Sequence, residues 1–95
     1  MATIIYGDFE WDDEKAAANL VKHGVPFEEA ASALIDPGAV FISDDASGEL
    51  RAIAIGRSVA SRVLFVVHVE RGERERIISA RPAKSVEEAI YEQGG

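Results

Sequence analysis

Residues 3–9, Thr-Ile-Ile-Tyr-Gly-Asp-Phe, are short, β-branched and aromatic, a pattern that predicts a first strand. The period then turns helical. Asp12 is placed to cap a first helix, Asp13 and Glu14 suit its positive end, and Lys22 and His23 suit its negative end. Gly24 stops it. Pro26 opens a second helix with Phe27, Ala30, Ala31 and Leu34 along one face, closed by Asp36-Pro37-Gly38. Alternating and apolar runs predict four further strands near 39–43, 51–56, 62–69 and 74–81. Ser85 with Glu88 three residues on reads as a capping box for a closing helix through Tyr91. The order β-α-α-β-β-β-β-α predicts an α+β fold, a mostly antiparallel sheet with helices packed on one face. Ninety-five residues make a single domain spanning 1–95.

Turn chemistry extends the pattern to registers. Glu70-Arg71-Gly72-Glu73 reads as a tight hairpin that pairs Val69 with Arg74 and sets His68 opposite Glu75, Leu64 opposite Ser79 and Arg62 opposite Arg81. A symmetric loop at 58–61 sets Ile55 opposite Leu64 and Arg51 opposite His68. One sheet face then carries a row of Arg51, His68 and Glu75. The other face, with Val63, Phe65, Val67 and Ile78, is the expected core beneath the helices. A slip of one residue exchanges the faces.

Charge changes the picture. The formal charge is −7, but residues 1–50 hold eleven acids and two lysines, while 51–84 hold eight bases and three acids, and 85–95 hold three acids. All seven arginines fall between Arg51 and Arg81. A basic insert in an acidic chain points to a local anion site rather than to general attraction for nucleic acid. The chain has no cysteine, which removes disulfides, thiolate metal sites and a thiol nucleophile. Two distant histidines and scattered carboxylates lack metal-ligand spacing, and no phosphate loop or nucleophile elbow is present. No metal or cofactor is expected. Neither a membrane-length apolar run nor a signal pattern occurs, so the expected location is the cytoplasm, with no membrane partner.

Phe9-Glu-Trp-Asp12, Lys15-Ala16, Asn19, Lys22-His-Gly24, Phe27-Glu-Glu-Ala30, Asp36-Pro37, Ile55-Gly56, Phe65-Val-Val67 and Arg76-Ile-Ile-Ser-Ala-Arg81 follow in that order. The ordered set resembles the BrnT family of type II toxins from Phe9 to Tyr91. The resemblance implies a RelE-like fold and an endoribonuclease that inhibits growth. It also implies a ribbon-helix-helix antitoxin that contacts DNA itself, so that the toxin meets DNA only indirectly, with room for a homodimer within the complex. Three positions depart from the family pattern. The closing helix Lys84-Ser-Val-Glu-Glu-Ala-Ile-Tyr91 is acidic rather than basic, Pro26 replaces a usual serine, and the loop Ser43-Asp-Asp-Ala-Ser-Gly48 lacks a histidine common there.

Metal-free RNA cleavage needs a base for the 2′-hydroxyl, cations for the phosphorane and an acid for the leaving oxygen. With the resemblance, His68 is the expected acid–base group, since an imidazole titrates near neutrality. Glu75 would hold its tautomer, and Arg51 and Arg81 would clamp phosphate in bidentate fashion. Lys22, His23 and Arg76 are expected to contact RNA. Plainer accounts stand beside these: His68 as a part-buried sheet residue with one hydrogen bond, Lys22 and His23 as helix-end cations, and Arg76 as a stem over apolar surface. A rival function is a protein-binding module with weak or lost cleavage that modulates an antitoxin repressor.

Overall fold

The computed structural model of the protein describes residues 2–44 and 51–94. Most of the loop at 43–48 lies outside them. The elements are β1 (Thr3–Tyr6), β2 (Phe9–Asp12), α1 (Asp13–His23), α2 (Phe27–Leu34), β3 (Val40–Asp44), β4 (Arg51–Arg57), β5 (Val63–Arg71), β6 (Arg74–Pro82) and α3 (Ser85–Gln93). The expected first strand is therefore two. Gly7 takes the left-handed conformation, φ 61°, and folds Tyr6 back onto Phe9 as a hairpin.

Both ends of α1 follow the predicted chemistry: Asp12 accepts from the Lys15 N–H, and Gly24, at φ 71°, donates to the Leu20 carbonyl. At α3 the cap moves by one residue. Lys84 is the N-cap, and the Glu87 side chain accepts its backbone N–H at 2.8 Å, in place of the Ser85–Glu88 pair.

The strands form one six-stranded sheet in the order β1-β2-β6-β5-β4-β3. It is mixed rather than simply antiparallel, because β2 runs parallel to β6 at Phe9–Glu75 and Glu10–Arg76, a pairing that the expectation of a mostly antiparallel sheet did not include. The helices also divide between the two faces. α1 and α2 cover one face over Leu64, Val66, Ile77, Ala80 and Ala54, which join Trp11, Val25, Phe27, Ala30 and Leu34 in the core. α3 rests on the other face against β4 and β5. There Ile55, 1% exposed, lies buried on the face opposite its neighbour Ala54.

The expected core face was the wrong one, because Val63 to Val67 is apolar at every position and alternation does not choose between its faces. Two local irregularities also displace the expected registers. Arg57 pairs with Val63, so the loop runs 58–62 with Ser61 left-handed at φ 64°, and Arg51 faces Val69 rather than His68. A bulge at Val67/His68 then shifts β6, so Val67 pairs with Ser79 but His68 with Ile77. Leu64 meets Pro82, not Ser79, and Phe65 rather than Arg62 meets Arg81.

Candidate functional site

His68 lies on the helix-covered face, where the sheet runs out beyond α2. Its Nδ1 is 2.7 Å from Glu75 Oε2. The two residues are not directly opposite: the hairpin closes at Arg71–Arg74, so His68 pairs with Ile77, and Glu75, two residues earlier, reaches it diagonally on the same face. A carboxylate acceptor assigns the proton to Nδ1. The ring is 7% exposed, and its Nε2 is buried with no hydrogen-bond partner among the described residues. His68 and Glu75 border a pocket of about 390 Å³ with Phe9, Leu34 and Phe41 and with Asp8, Glu70, Glu73 and Arg74. Phe41 stands edge-on to the His68 ring, centroids 6.1 Å apart. Four carboxylates to one guanidinium make this a poor seat for phosphate.

Arg51 and Arg81 are not with it. Arg51 pairs with Val69, and Val69 with Arg76, forming a row across three strands on the opposite face. Arg81 pairs with Phe65 on that same face, its guanidinium 4.1 Å from the Phe65 ring centroid. The expected row of Arg51, His68 and Glu75 is thus split by the thickness of the sheet. The five-residue loop at 58–62 causes that split, while the bulge between β5 and β6 gathers arginines. Arg76 and Arg81 are five residues apart and would point to opposite faces of a regular strand, but the extra residue brings both to one. By register Arg51, Arg57, Arg71, Arg74, Arg76 and Arg81, six of the seven arginines, share the face away from α1 and α2, and Arg74, at the hairpin end, also borders the His68 pocket.

Among the described residues, carboxylates meet Arg76 and Arg81. Arg76 donates to Glu10 at 2.6 Å, and Arg81 holds both Glu87 oxygens at 2.8 Å in a bidentate pair. The hydrogen bond from Arg81 holds the Glu87 carboxyl below its ordinary range against the opposing effect of burial, and Arg81 is raised in turn. Glu10 and Glu87 were not foreseen as partners. Alternation with buried Trp11 puts Glu10 on the arginine side of β2, which was the available signal; nothing local marks Glu87.

Lys22 and His23 border a shallow groove of about 210 Å³ with Lys15, Asn19, Ile78 and Ser79. It runs along the β6 edge and ends at Ser79, two residues from Arg81. Among the described residues that edge has no strand partner beyond Arg76, and Asn19 takes the place of one. Its amide donates to the Ala80 and Val25 carbonyls at 2.9 Å and accepts the Ala80 N–H at 3.1 Å. Lys22 and His23 are therefore carried close to the arginine face, not to His68. Among the described residues no three His, Cys, Asp or Glu converge on a point that would hold a metal ion, and no helix is long and apolar enough to cross a membrane.

Residues 11–87 match the sequence model of a family described as the ribonuclease toxin BrnT of type II toxin–antitoxin systems. The fold is similar to the 1.1 Å crystal structure of the Brucella abortus ribonuclease toxin BrnT, with a TM-score of 0.63 and 27% sequence identity, covering 79% of this chain and 94% of that one. No protein with a curated description matches. The family match over most of the chain, and a solved relative with the same fold, agree with the ordered residues from Trp11 to Glu87: this chain belongs to the BrnT family of ribonuclease toxins of type II toxin–antitoxin systems.

Proposed function

We propose that the protein is a metal-independent endoribonuclease whose RNA lies on the arginine face of the sheet. The observation that carries this is the collection of Arg51, Arg76 and Arg81 on one face, with Arg57, Arg71 and Arg74, brought together by the β6 bulge. Lys22 and His23 extend the basic track along the β6 edge. Cleavage proceeds by attack of the ribose 2′-oxygen on the adjacent phosphorus. The P–O5′ bond breaks, the 2′-hydroxyl loses its proton and the leaving oxygen gains one. The guanidiniums stabilise the extra negative charge of the phosphorane, and Arg81, bidentate and stacked on Phe65, has the geometry for it. His68 and Glu75 lie across the sheet, so in this reading they are not the groups that move these protons. The neutralising partner is a ribbon-helix-helix antitoxin, and the fold is grouped with the RelE-like toxins.

A second reading has its own observation. Glu10 and Glu87 occupy Arg76 and Arg81, as they would in a family member that has weak cleavage and serves to bind an antitoxin repressor. Purified protein incubated with RNA in excess EDTA separates the two. Cleavage that survives chelation, falls in Arg81→Ala and persists in His68→Ala supports the nuclease as drawn. Loss in His68→Ala with retention in Arg81→Ala moves the site to the pocket, and no cleavage by the intact chain supports the binding module.

A further inference from the structure

The pocket around His68 joins aromatic and aliphatic side chains to an acidic rim. Its apolar part is Phe9, Leu34 and Phe41, and Phe41 is 58% exposed on the edge strand β3. Its charged part is Asp8, Glu70, Glu73 and Glu75, against Arg74, whose Nε leans 3.4 Å from the Gly7 carbonyl. Glu75 is already turned inward to His68, and its side chain is still 37% exposed. His68 presents a further signal of a site: a ring more than nine-tenths buried in the pocket wall, whose buried Nε2 has no hydrogen-bond partner among the described residues. The carboxylates do not converge as a metal cage would require. Aromatic faces beside spread carboxylates match a guanidinium, which stacks and donates in several directions, better than a compact ammonium. A volume of about 390 Å³ is ample for one such side chain.

We propose that this pocket seats an arginine side chain of the cognate antitoxin, anchoring the inhibitor on the face opposite the arginine face. The carboxylate rim repels phosphate and attracts a basic segment, so charge selects a protein partner over RNA. The inference rests on the antitoxin partnership of the family and not on cleavage by this chain, so it stands or falls separately from the nuclease reading.

The test uses the full chain, ¹⁵N-labelled and titrated with N-acetyl-arginine methylamide, N-acetyl-leucine methylamide and inorganic phosphate. The arginine amide is expected to shift Phe9, Phe41, His68 and Glu75 selectively, and the pair Glu70→Lys with Glu73→Lys to weaken it by about tenfold without loss of dispersion in the spectrum. In the complex with co-expressed antitoxin, the same residues should gain hydrogen-exchange protection, and the charge-reversed pair should release the antitoxin faster. Shifts by phosphate at these residues, equal shifts by the leucine amide, or a complex that leaves Phe41 and 70–75 unprotected would each overturn the proposal. Protection that appears with protein concentration alone would mean that a second copy of this chain fills the pocket, and would overturn it equally.

Discussion

Arg81 concentrates the question of activity in one side chain. It is bidentate to Glu87, stacked on Phe65 and joined to the face of Arg51 and Arg76. A carboxylate held this way occupies the guanidinium edge that a phosphate would use. Arg81→Lys should recover only part of what Arg81→Ala loses, because an ammonium lacks the fork; the loss in the alanine variant is expected at about tenfold to a thousandfold in cleavage rate. Glu87→Gln should act in the other direction. Removing the charge frees Arg81 and raises RNA affinity, read as a lower Kd in a fluorescence titration with a 2′-O-methyl oligonucleotide; an unchanged or higher Kd would show that Glu87 does not compete for the site.

At the scale of elements, the contact of α2 with β4 depends on a missing side chain. A Cβ on Gly56 would lie 2.2 Å from the Ala33 carbonyl oxygen, so helix and strand meet backbone to backbone. Gly56→Ala should destabilise the fold by about 1–3 kcal/mol, seen as a lower denaturant midpoint, since backbone must move to admit the methyl. An unchanged midpoint would mean that α2 is not held there. The same scale shows why some elements were legible and others were not. Helix ends carry chemical marks, and Asp12 and Gly24 bounded α1 correctly. Register carried none. Val63 to Val67 is apolar at every position, so a one-residue slip leaves the hydrophobic pattern equally satisfied, and the five-residue loop with left-handed Ser61 was invisible to it. The bulge at Val67/His68 likewise leaves no compositional trace, although it decides which arginines share a face. The His68–Glu75 contact survived these errors because a shift of two in the hairpin preserves the face. Arg51 did not, because its loop was shifted by one.

Over the whole molecule, several ties between distant segments are carboxylates. Glu29 holds Arg62 and Ser58, and its carboxyl is lowered chiefly by the Arg62 hydrogen bond. Asp36 accepts from the Tyr91 hydroxyl, the Arg57 N–H and the Gly38 N–H, and is lowered in that order of influence by Tyr91, then Arg57, then Gly38. Glu87 is lowered by Arg81. Groups that are more acidic folded than unfolded give stability that is complete above the ordinary carboxylate range and is lost as pH falls through the lowered values. The denaturant midpoint should therefore fall on acidification below that range, and Asp36→Asn should flatten part of the slope. A midpoint that rises on acidification would contradict these ties.

The charge of −7 sets how the molecule meets RNA. Long-range attraction is weak, so binding depends on short contacts on a single face. The most direct test is the ¹⁵N spectrum of the full chain titrated with a short, uncleavable 2′-O-methyl RNA. The account predicts shifts gathered at Arg51, Arg76, Ser79 and Arg81 and along Lys22 and His23, with Phe9, Phe41, His68 and Glu75 unmoved. Shifts gathered instead at Phe9, Phe41, His68 and Glu75 would contradict it.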